Sequence, residues 1–140
     1  MINSFKEKLL YKFTKKYWKL INQKHGILNN FTVQKGLFKD LKLNKEQYWN
    51  SWDLGSKIYG FYEKDVQEII YKIVKKYKIK QFINIGSADG FFPIGFLRLK
   101  LFKNAICFEQ NKIGQKSIIQ NAITNKVLDK IKDFGEINSN

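Results

Sequence analysis

An apolar run broken by glycines constrains the fold of this chain more than any other feature. Residues 82–96 read FINIGSADGFFPIGF. A short strand is predicted for the mostly apolar run from Gln81 to Ile85, and a tight turn for Gly86 to Gly90. Phe92 to Phe102 then predict a helix, with Pro93 in the first turn, where a missing amide hydrogen costs least. A strand that passes through a glycine turn into a helix indicates an α/β fold.

The same alternation extends on both sides of this unit. Glu63 to Tyr77 has apolar residues at helical spacing, with acidic residues at its start and lysines at its end, as the helix dipole favours. Ala105 to Phe108 predict a second strand, Ile113 to Asn125 a helix, and Lys130 to Phe134 a third strand. Alternation from residue 63 to residue 134 predicts a parallel sheet with right-handed crossovers.

The second predicted strand ends on an acidic residue, Glu109. The carboxyl ends of neighbouring parallel strands face one crevice, so Glu109 would lie beside the Gly86 turn and could accept both hydrogens of a ribose diol. This placement indicates a nucleoside-bearing ligand. A dinucleotide site would need G-x-G-x-x-G, whereas position 88 is Ala and Gly95 falls too late, which disfavours an oxidoreductase.

The segment before the α/β unit predicts a helix and a hairpin. From Ser4 to Ile21 an apolar residue recurs every four positions, and lysines cover the opposite side. We expect this helix to pack on the domain, although such a helix could also lie on an anionic membrane surface. Alternating apolar residues in 31–43 predict two short strands that turn at Lys35-Gly36. His25 is predicted to lie in a loop between the helix and the hairpin.

Charge and composition exclude several classes of function. The net charge is +14, yet Arg98 is the single arginine among 26 basic residues. Because arginine supplies the forked contacts to phosphate and guanine, we attribute the lysine bias first to genome composition and expect no nucleic-acid partner. The sequence has one cysteine, Cys107, and one histidine, His25, so an internal disulfide and a His/Cys metal cluster are excluded. Cys107 is expected in the core. No membrane span or secretory signal is predicted, so the expected compartment is the cytoplasm.

The glycine turn at 86–90 resembles the first motif of Rossmann-like S-adenosylmethionine-dependent methyltransferases. The segment KIYGFYEKDVQEII at 57–70, after a hairpin reading GLFKDLKL at 36–43, resembles the N-terminal part of FkbM-type methyltransferases. In that family a Gly-aromatic-Glu element precedes the first helix of the sheet, as 59–63 (Tyr-Gly-Phe-Tyr-Glu) does here. The resemblance covers roughly residues 36–136. The resemblance implies transfer of a methyl group from S-adenosylmethionine to an oxygen atom, as in FkbM-like enzymes. The implied acceptor is a small molecule or a glycan.

Carried over by position, the resemblance implies a set of cofactor-binding residues. The turn would wrap the methionine part of the cofactor, Glu109 would hold the ribose, and Gln110 would lie near the adenine. Asn84 stands where many methyltransferases have an acid, and Tyr62 and Glu63 would lie at the rim. The implied binding residues are Asn84, Gly86, Ser87, Ala88, Asp89, Gly90, Glu109 and Gln110. No catalytic residue is implied, and Asp89 could instead cap the following helix.

The family fold has about seven strands, whereas three are predicted here. We therefore expect a partial Rossmann-like methyltransferase fold, with residues 1–62 as an N-terminal helix and hairpin extension and 63–140 as the N-terminal half of the cofactor-binding domain. The first strand would then be a sheet edge, which self-association or a separately encoded C-terminal half could cover. The alternative function is an inactive remnant or basic interaction module that binds nucleic acid or anionic membrane.

Overall fold

The computed structural model describes residues 3–45 and 53–135, with the side chains of the first helix described from residue 7 onward. Five α-helices and three strands are described, together with a 3-10 turn at Leu128–Lys130. The helices are α1 (Asn3–Leu28), α2 (Leu54–Ile58), α3 (Lys64–Tyr77), α4 (Phe91–Arg98) and α5 (Lys112–Thr124). The strands are β1 (Gln81–Ile85), β2 (Asn104–Phe108) and β3 (Ile131–Asp133).

The three strands form one parallel sheet in the order β1-β2-β3. Ile85 pairs with Phe108, and Cys107 pairs with Asp133, so the carboxyl ends of the strands lie at the same edge. This arrangement confirms the predicted fold class, a partial Rossmann-like α/β sheet flanked by helices. The predicted strands agree with the observed ones to within one residue at each end.

The helix after the glycine turn is shorter than predicted. It ends at Arg98, and Lys100 takes a left-handed conformation with φ of 54°. The prediction that the helix extends to Phe102 is therefore wrong. Phe102 instead turns into the core, where its ring stacks on Phe82 with 5.0 Å between centroids.

The predicted hairpin forms only in part. Phe31, Val33, Leu41 and Leu43 are buried as their alternation predicts. The backbone pairing, however, is a single antiparallel bridge between Thr32 and Lys42 rather than two strands. The chain between them reverses over residues 35–40, with left-handed residues at Gly36 and Asp40, so the turn predicted at Lys35-Gly36 is wider than those two residues.

One apolar core joins the N-terminal segment to the α/β unit. Phe38 makes edge-to-face contacts with Phe91 and Phe96, and the face of α4 at Gly95 packs closely against its ring. Leu54 and Ile58 of α2 are fully buried in the same cluster. The division of the sequence at residue 63 into an extension and a cofactor-binding half stays a prediction. In the structure, residues from both sides of that division pack in this one core.

Helix α1 is longer and more exposed than predicted. It runs from Asn3 to Leu28, and every described side chain from residue 7 to residue 20 is exposed. The expectation that this stretch packs on the domain is wrong for residues 7–20, because their side chains are exposed and the buried part of the described helix lies near its C-terminal end. There Asn22 is buried against Gly55, and Gly26 lies against the ring of Phe31. No helix in the described part of the chain is long and apolar enough to cross a membrane.

The side of the sheet beside β1 is also open. Among the described strands β1 pairs with β2 alone, so its other edge is unpaired, as the sequence predicts. Ile83 and Ile85 are exposed, the latter by 71%. Helix α3 likewise presents Val66, Ile69 and Ile73 to solvent and buries only Gln67 and Val74 fully. The apolar stripe of α3 is therefore only partly used in the core.

Two glycines with the same backbone conformation give a test of this packing. Gly60 and Gly86 have φ of 74° and 73°. A Cβ at Gly60 would collide with the carbonyl group of Lys35, whereas a Cβ at Gly86 would meet no atom within 4 Å. We expect Gly60→Ala to lower the free energy of unfolding by about 3 kcal/mol and Gly86→Ala by about 1 kcal/mol, the cost of the left-handed alanine alone. Urea unfolding of both variants measures the difference, and equal losses would contradict the packing.

Candidate cofactor-binding site

The glycine turn lies where β1 and β2 end side by side. The carbonyl oxygen of Phe108, the last residue of β2, accepts hydrogen bonds from the backbone N–H groups of Gly86 (2.8 Å) and Ser87 (3.0 Å). The hydroxyl of Ser87 donates back to the carbonyl of Asn84 (2.8 Å). The turn is thus tied to both strands at the carboxyl edge of the sheet, the edge at which open α/β sheets bind ligands.

Glu109 links this turn to the start of α5. One carboxylate oxygen accepts from the backbone N–H of Ala88 (2.8 Å), and the other accepts from that of Asn111 (2.9 Å). The residue is only 6% exposed. It is therefore not a solvated acid at a strand end. Each oxygen of a carboxylate can accept more than one hydrogen bond, so these two bonds leave acceptor capacity for a ligand.

The two glycines of the turn differ in what surrounds them. Gly86 is exposed, and the space that a Cβ would enter holds no atom within 4 Å. Gly90 is buried, and a Cβ there would come within 2.8 Å of the Ile94 side chain. Gly90 therefore serves the packing of α4, whereas Gly86 leaves open space where β1 ends. Of these two glycines, Gly86 is the one at which a ligand could approach the backbone closely.

Asp89 is engaged within the protein. One oxygen of its carboxylate lies 2.7 Å from Nζ of Lys57, and the two side chains are 6% and 7% exposed. The other oxygen accepts from the backbone N–H of Phe91 (3.2 Å), at the start of α4. The N-cap residue of α4 is Gly90, so the predicted alternative, that Asp89 caps this helix, holds only in that Asp89 accepts the N–H of Phe91 from one position before the cap. Its charge is neutralised by Lys57, so the residue shapes the turn.

Sequence reasoning did not single out Lys57. It comes from α2, and its ammonium group also lies over the rings of Tyr62 (5.1 Å) and Phe91 (5.2 Å). A signal existed in the sequence, because this lysine stands in an apolar segment directly before the Gly-aromatic-Glu element. What the sequence could not supply was the partner, since Asp89 lies 32 residues away.

Tyr62 lies beside the turn, near the position that the resemblance implies. Its ring packs edge-to-face on Phe91 with 5.4 Å between centroids. Burial, together with the negative charges of Glu63, Asp53 and Asp89, raises the pKa of Tyr62 to about 12. Tyr62 is therefore a neutral phenol at physiological pH. Glu63 is exposed and takes a left-handed conformation just before α3.

The remaining predicted residues surround the turn with varying exposure. Asn84 is half-buried in β1, and Gln110 is exposed just beyond Glu109. Helix α5 adds a residue that the sequence did not indicate, Asn121, whose side-chain amide donates to the carbonyl of Asp89 (2.8 Å). The side-chain oxygen of Asn121 is buried without a hydrogen-bond partner among the described residues. The turn is thus held from three sides, by α2, β2 and α5.

The other reactive residues lie outside this site. Cys107 is fully buried in β2, as predicted, and burial raises the pKa of its thiol to about 11. His25 lies within α1, not in a loop as predicted, because that helix continues to Leu28. Its Nδ1 lies 2.7 Å from the hydroxyl of Tyr59. No group of three or more potential metal ligands occurs in residues 3–45 and 53–135.

Comparison with known proteins gives structural matches only. No family model matches the chain, and no curated protein matches it. Among solved structures, a Staphylococcus aureus protein assigned as a caffeoyl-CoA O-methyltransferase aligns with 54% of this chain and 36% of its own, at 16% identity and a TM-score of 0.49. The O-methyltransferase TomG of Streptomyces achromogenes, solved with S-adenosylmethionine, aligns with 88% of this chain and 52% of its own, at 9% identity and a TM-score of 0.47. The chain spans about a third of the length of the first of these structures.

The buried ion pair predicts a strong effect when one partner is removed. Lys57→Met leaves the Asp89 carboxylate buried without a counter-ion, so we expect the free energy of unfolding to fall by about 3 kcal/mol or more. The double variant with Asp89→Asn removes both charges and should recover much of that loss. Denaturant unfolding of the two single variants and the double variant tests this. A double variant as unstable as the sum of the single variants would contradict the pairing.

The buried thiol predicts a pH dependence. Burial raises the folded-state pKa of Cys107 from its ordinary value of 9.0 to about 11, so the stabilising effect of the neutral thiol is complete below pH 9 and is lost as the pH rises towards 11. From pH 8 to pH 10 we expect the parent chain to lose about 1 kcal/mol more than Cys107→Ala loses. Tyr62 is common to both proteins and cancels. Parallel stability curves over this range would show that the thiol is not buried.

Proposed function

We propose that this chain is the cofactor-binding portion of an S-adenosylmethionine-dependent methyltransferase of the FkbM type. The observation that carries the proposal is that the open space over Gly86 and the Glu109 carboxylate lie at the same carboxyl edge of β1 and β2. A nucleoside ligand needs both a close approach to the backbone and a carboxylate at that edge. The resemblance of the motifs supplies the identity of the nucleoside.

The residues around this space have distinct proposed roles. The backbone of Gly86, Ser87 and Ala88 would wrap the methionine part of the cofactor. Glu109 would accept the ribose hydroxyls with the lone pairs that Ala88 and Asn111 leave free, and Gln110 would lie near the adenine.

Three further residues complete the proposed set. Asp89 and Gly90 would contribute by shaping the turn, because Asp89 is paired with Lys57 and Gly90 is packed against Ile94. Asn84 would contribute through its carbonyl, which holds Ser87 in place.

The bound cofactor supplies a methyl group activated by its sulfonium, and transfer requires in-line approach of the acceptor. For this chain the proposed acceptor is an oxygen of a small molecule or glycan. The described residues provide binding and orientation of the cofactor, and no acid or base among them is assigned to the acceptor. Self-association, or pairing with a separately encoded half, would cover the free edge of β1. The cytoplasm is the proposed compartment.

The proposal is tested by calorimetric titration of the chain with S-adenosylhomocysteine. We expect binding to the parent chain and at least a tenfold loss with Gly86→Ala, whose new methyl group would fill the space over the turn while leaving the fold intact. Glu109→Ala is a less specific variant, because it also leaves the N–H groups of Ala88 and Asn111 without an acceptor.

The control is Gly36→Ala, which places alanine at a similar φ, 80°, in the segment before α2, with its new Cβ 3.0 Å from the carbonyl oxygen of Gly60. It should bind as the parent does, provided that circular dichroism shows it folded. Equal affinity of the parent and Gly86→Ala would overturn the site assignment. No binding by a folded parent chain would overturn the claim that this chain forms the pocket, and competition by NAD would favour a dinucleotide enzyme instead.

A further inference from the structure

We propose that helix α1 docks the protein on an anionic membrane surface. The first observation is exposure. Every described side chain between residues 7 and 20 is exposed, and Phe13 and Leu20 are exposed by 64% and 61%. At 1.5 Å per residue this stretch is about 20 Å long, which is long for an apolar surface that the protein leaves in water.

The second observation is how the side chains are arranged around the helix. At about 100° per residue, the exposed apolar residues occupy one continuous arc of roughly 100°. We call this the apolar arc: Leu9, Leu10, Phe13, Tyr17 and Leu20. Five lysines occupy an adjacent arc of similar width, the lysine arc: Lys8, Lys12, Lys15, Lys16 and Lys19. Trp18 and Tyr11 lie outside both arcs, on the side of the lysine arc that is away from the apolar arc.

Both arcs suit the boundary between lipid headgroups and acyl chains. The apolar arc would insert among the acyl chains, and the lysine stems would extend to the negatively charged headgroups. An anionic bilayer is therefore an occupant that uses the apolar side chains and the charges at the same time.

Two other occupants use only part of this surface. A second copy of α1 would cover the apolar arc but would give the lysines no acidic partner, because Glu7 is the one acidic residue between Asn3 and Leu28. Nucleic acid would pair with the lysines but would leave the apolar arc in water. The anionic membrane is favoured because it leaves neither arc without a partner.

The attachment of α1 to the rest of the protein fits this role. Among the described side chains of α1, the buried ones lie near its C-terminal end, where Asn22 is buried and Gly26 lies against Phe31. The exposed stretch from residue 7 to residue 20 thus projects from the α/β unit. The exposed stretch can therefore lie on a bilayer without any change to the glycine turn, which lies at the ends of β1 and β2.

Co-sedimentation of the full chain with vesicles tests the proposal. We expect binding to vesicles of phosphatidylglycerol and phosphatidylcholine and little binding to phosphatidylcholine alone. Phe13→Gln with Leu20→Gln should weaken binding to the anionic vesicles at least tenfold, and Lys12→Gln with Lys16→Gln should do the same. Since all four side chains are exposed, these variants should keep the stability of the parent.

Matched pairs elsewhere in the chain serve as controls. Ile113→Gln with Ile123→Gln removes two exposed apolar residues from α5. Lys80→Gln with Lys103→Gln removes two charges from a groove that is lined by five lysines at the opposite end of the sheet. Both control pairs should bind the anionic vesicles within about twofold of the parent.

Three outcomes would overturn the proposal. Equal loss with the groove lysines would mean that net charge alone drives binding. Retention of binding by Phe13→Gln with Leu20→Gln would mean that the apolar arc does not insert. The third outcome is a parent chain that does not bind vesicles and is a dimer by sedimentation equilibrium. If Phe13→Gln with Leu20→Gln dissociates that dimer, the apolar arc is covered by a second copy.

Discussion

The Glu109 carboxylate is the contact on which the candidate site depends. Parallel pairing of β1 and β2 brings two chain ends to one edge, but pairing alone does not fix the shape of the loop that follows β1. Glu109 does so by accepting the N–H of Ala88 from that loop and the N–H of Asn111 from the start of α5. One buried side chain thus sets the position of the backbone that a ligand would contact, and it holds two donors that would otherwise lack partners.

The N-terminal segment is part of this site through α2. Lys57 reaches from that helix to Asp89 inside the turn, and its ammonium group lies over Phe91 and Tyr62. A buried pair of charges costs desolvation energy, so it gives little net stability but strongly disfavours any arrangement that separates the partners. The extension and the turn are therefore coupled in position, although the sequence suggests two separate regions.

Sequence reasoning recovered the features that depend on local periodicity and failed where distant contacts decide. The strands and the Gly86 turn could be predicted because alternation and glycine placement encode them within a few residues. The end of α4 could not, since Phe102 leaves the helix to stack on Phe82. Lys57 could not be assigned either, because its role requires Asp89 to be folded against it. The extent of α1 was underestimated because Gly26 and His25 suggest a loop, whereas packing of Gly26 on Phe31 supports a helix.

The open edge of β1 has a consequence for the behaviour of the protein in solution. An unpaired strand that carries the exposed side chains of Ile83 and Ile85 can pair with any similar strand that it meets. The net charge of +14 opposes such encounters, because every copy repels every other. Salt screens that repulsion and leaves the apolar contact intact. High-salt buffers, which normally keep basic proteins free of nucleic acid, would therefore remove the barrier that keeps these edges apart.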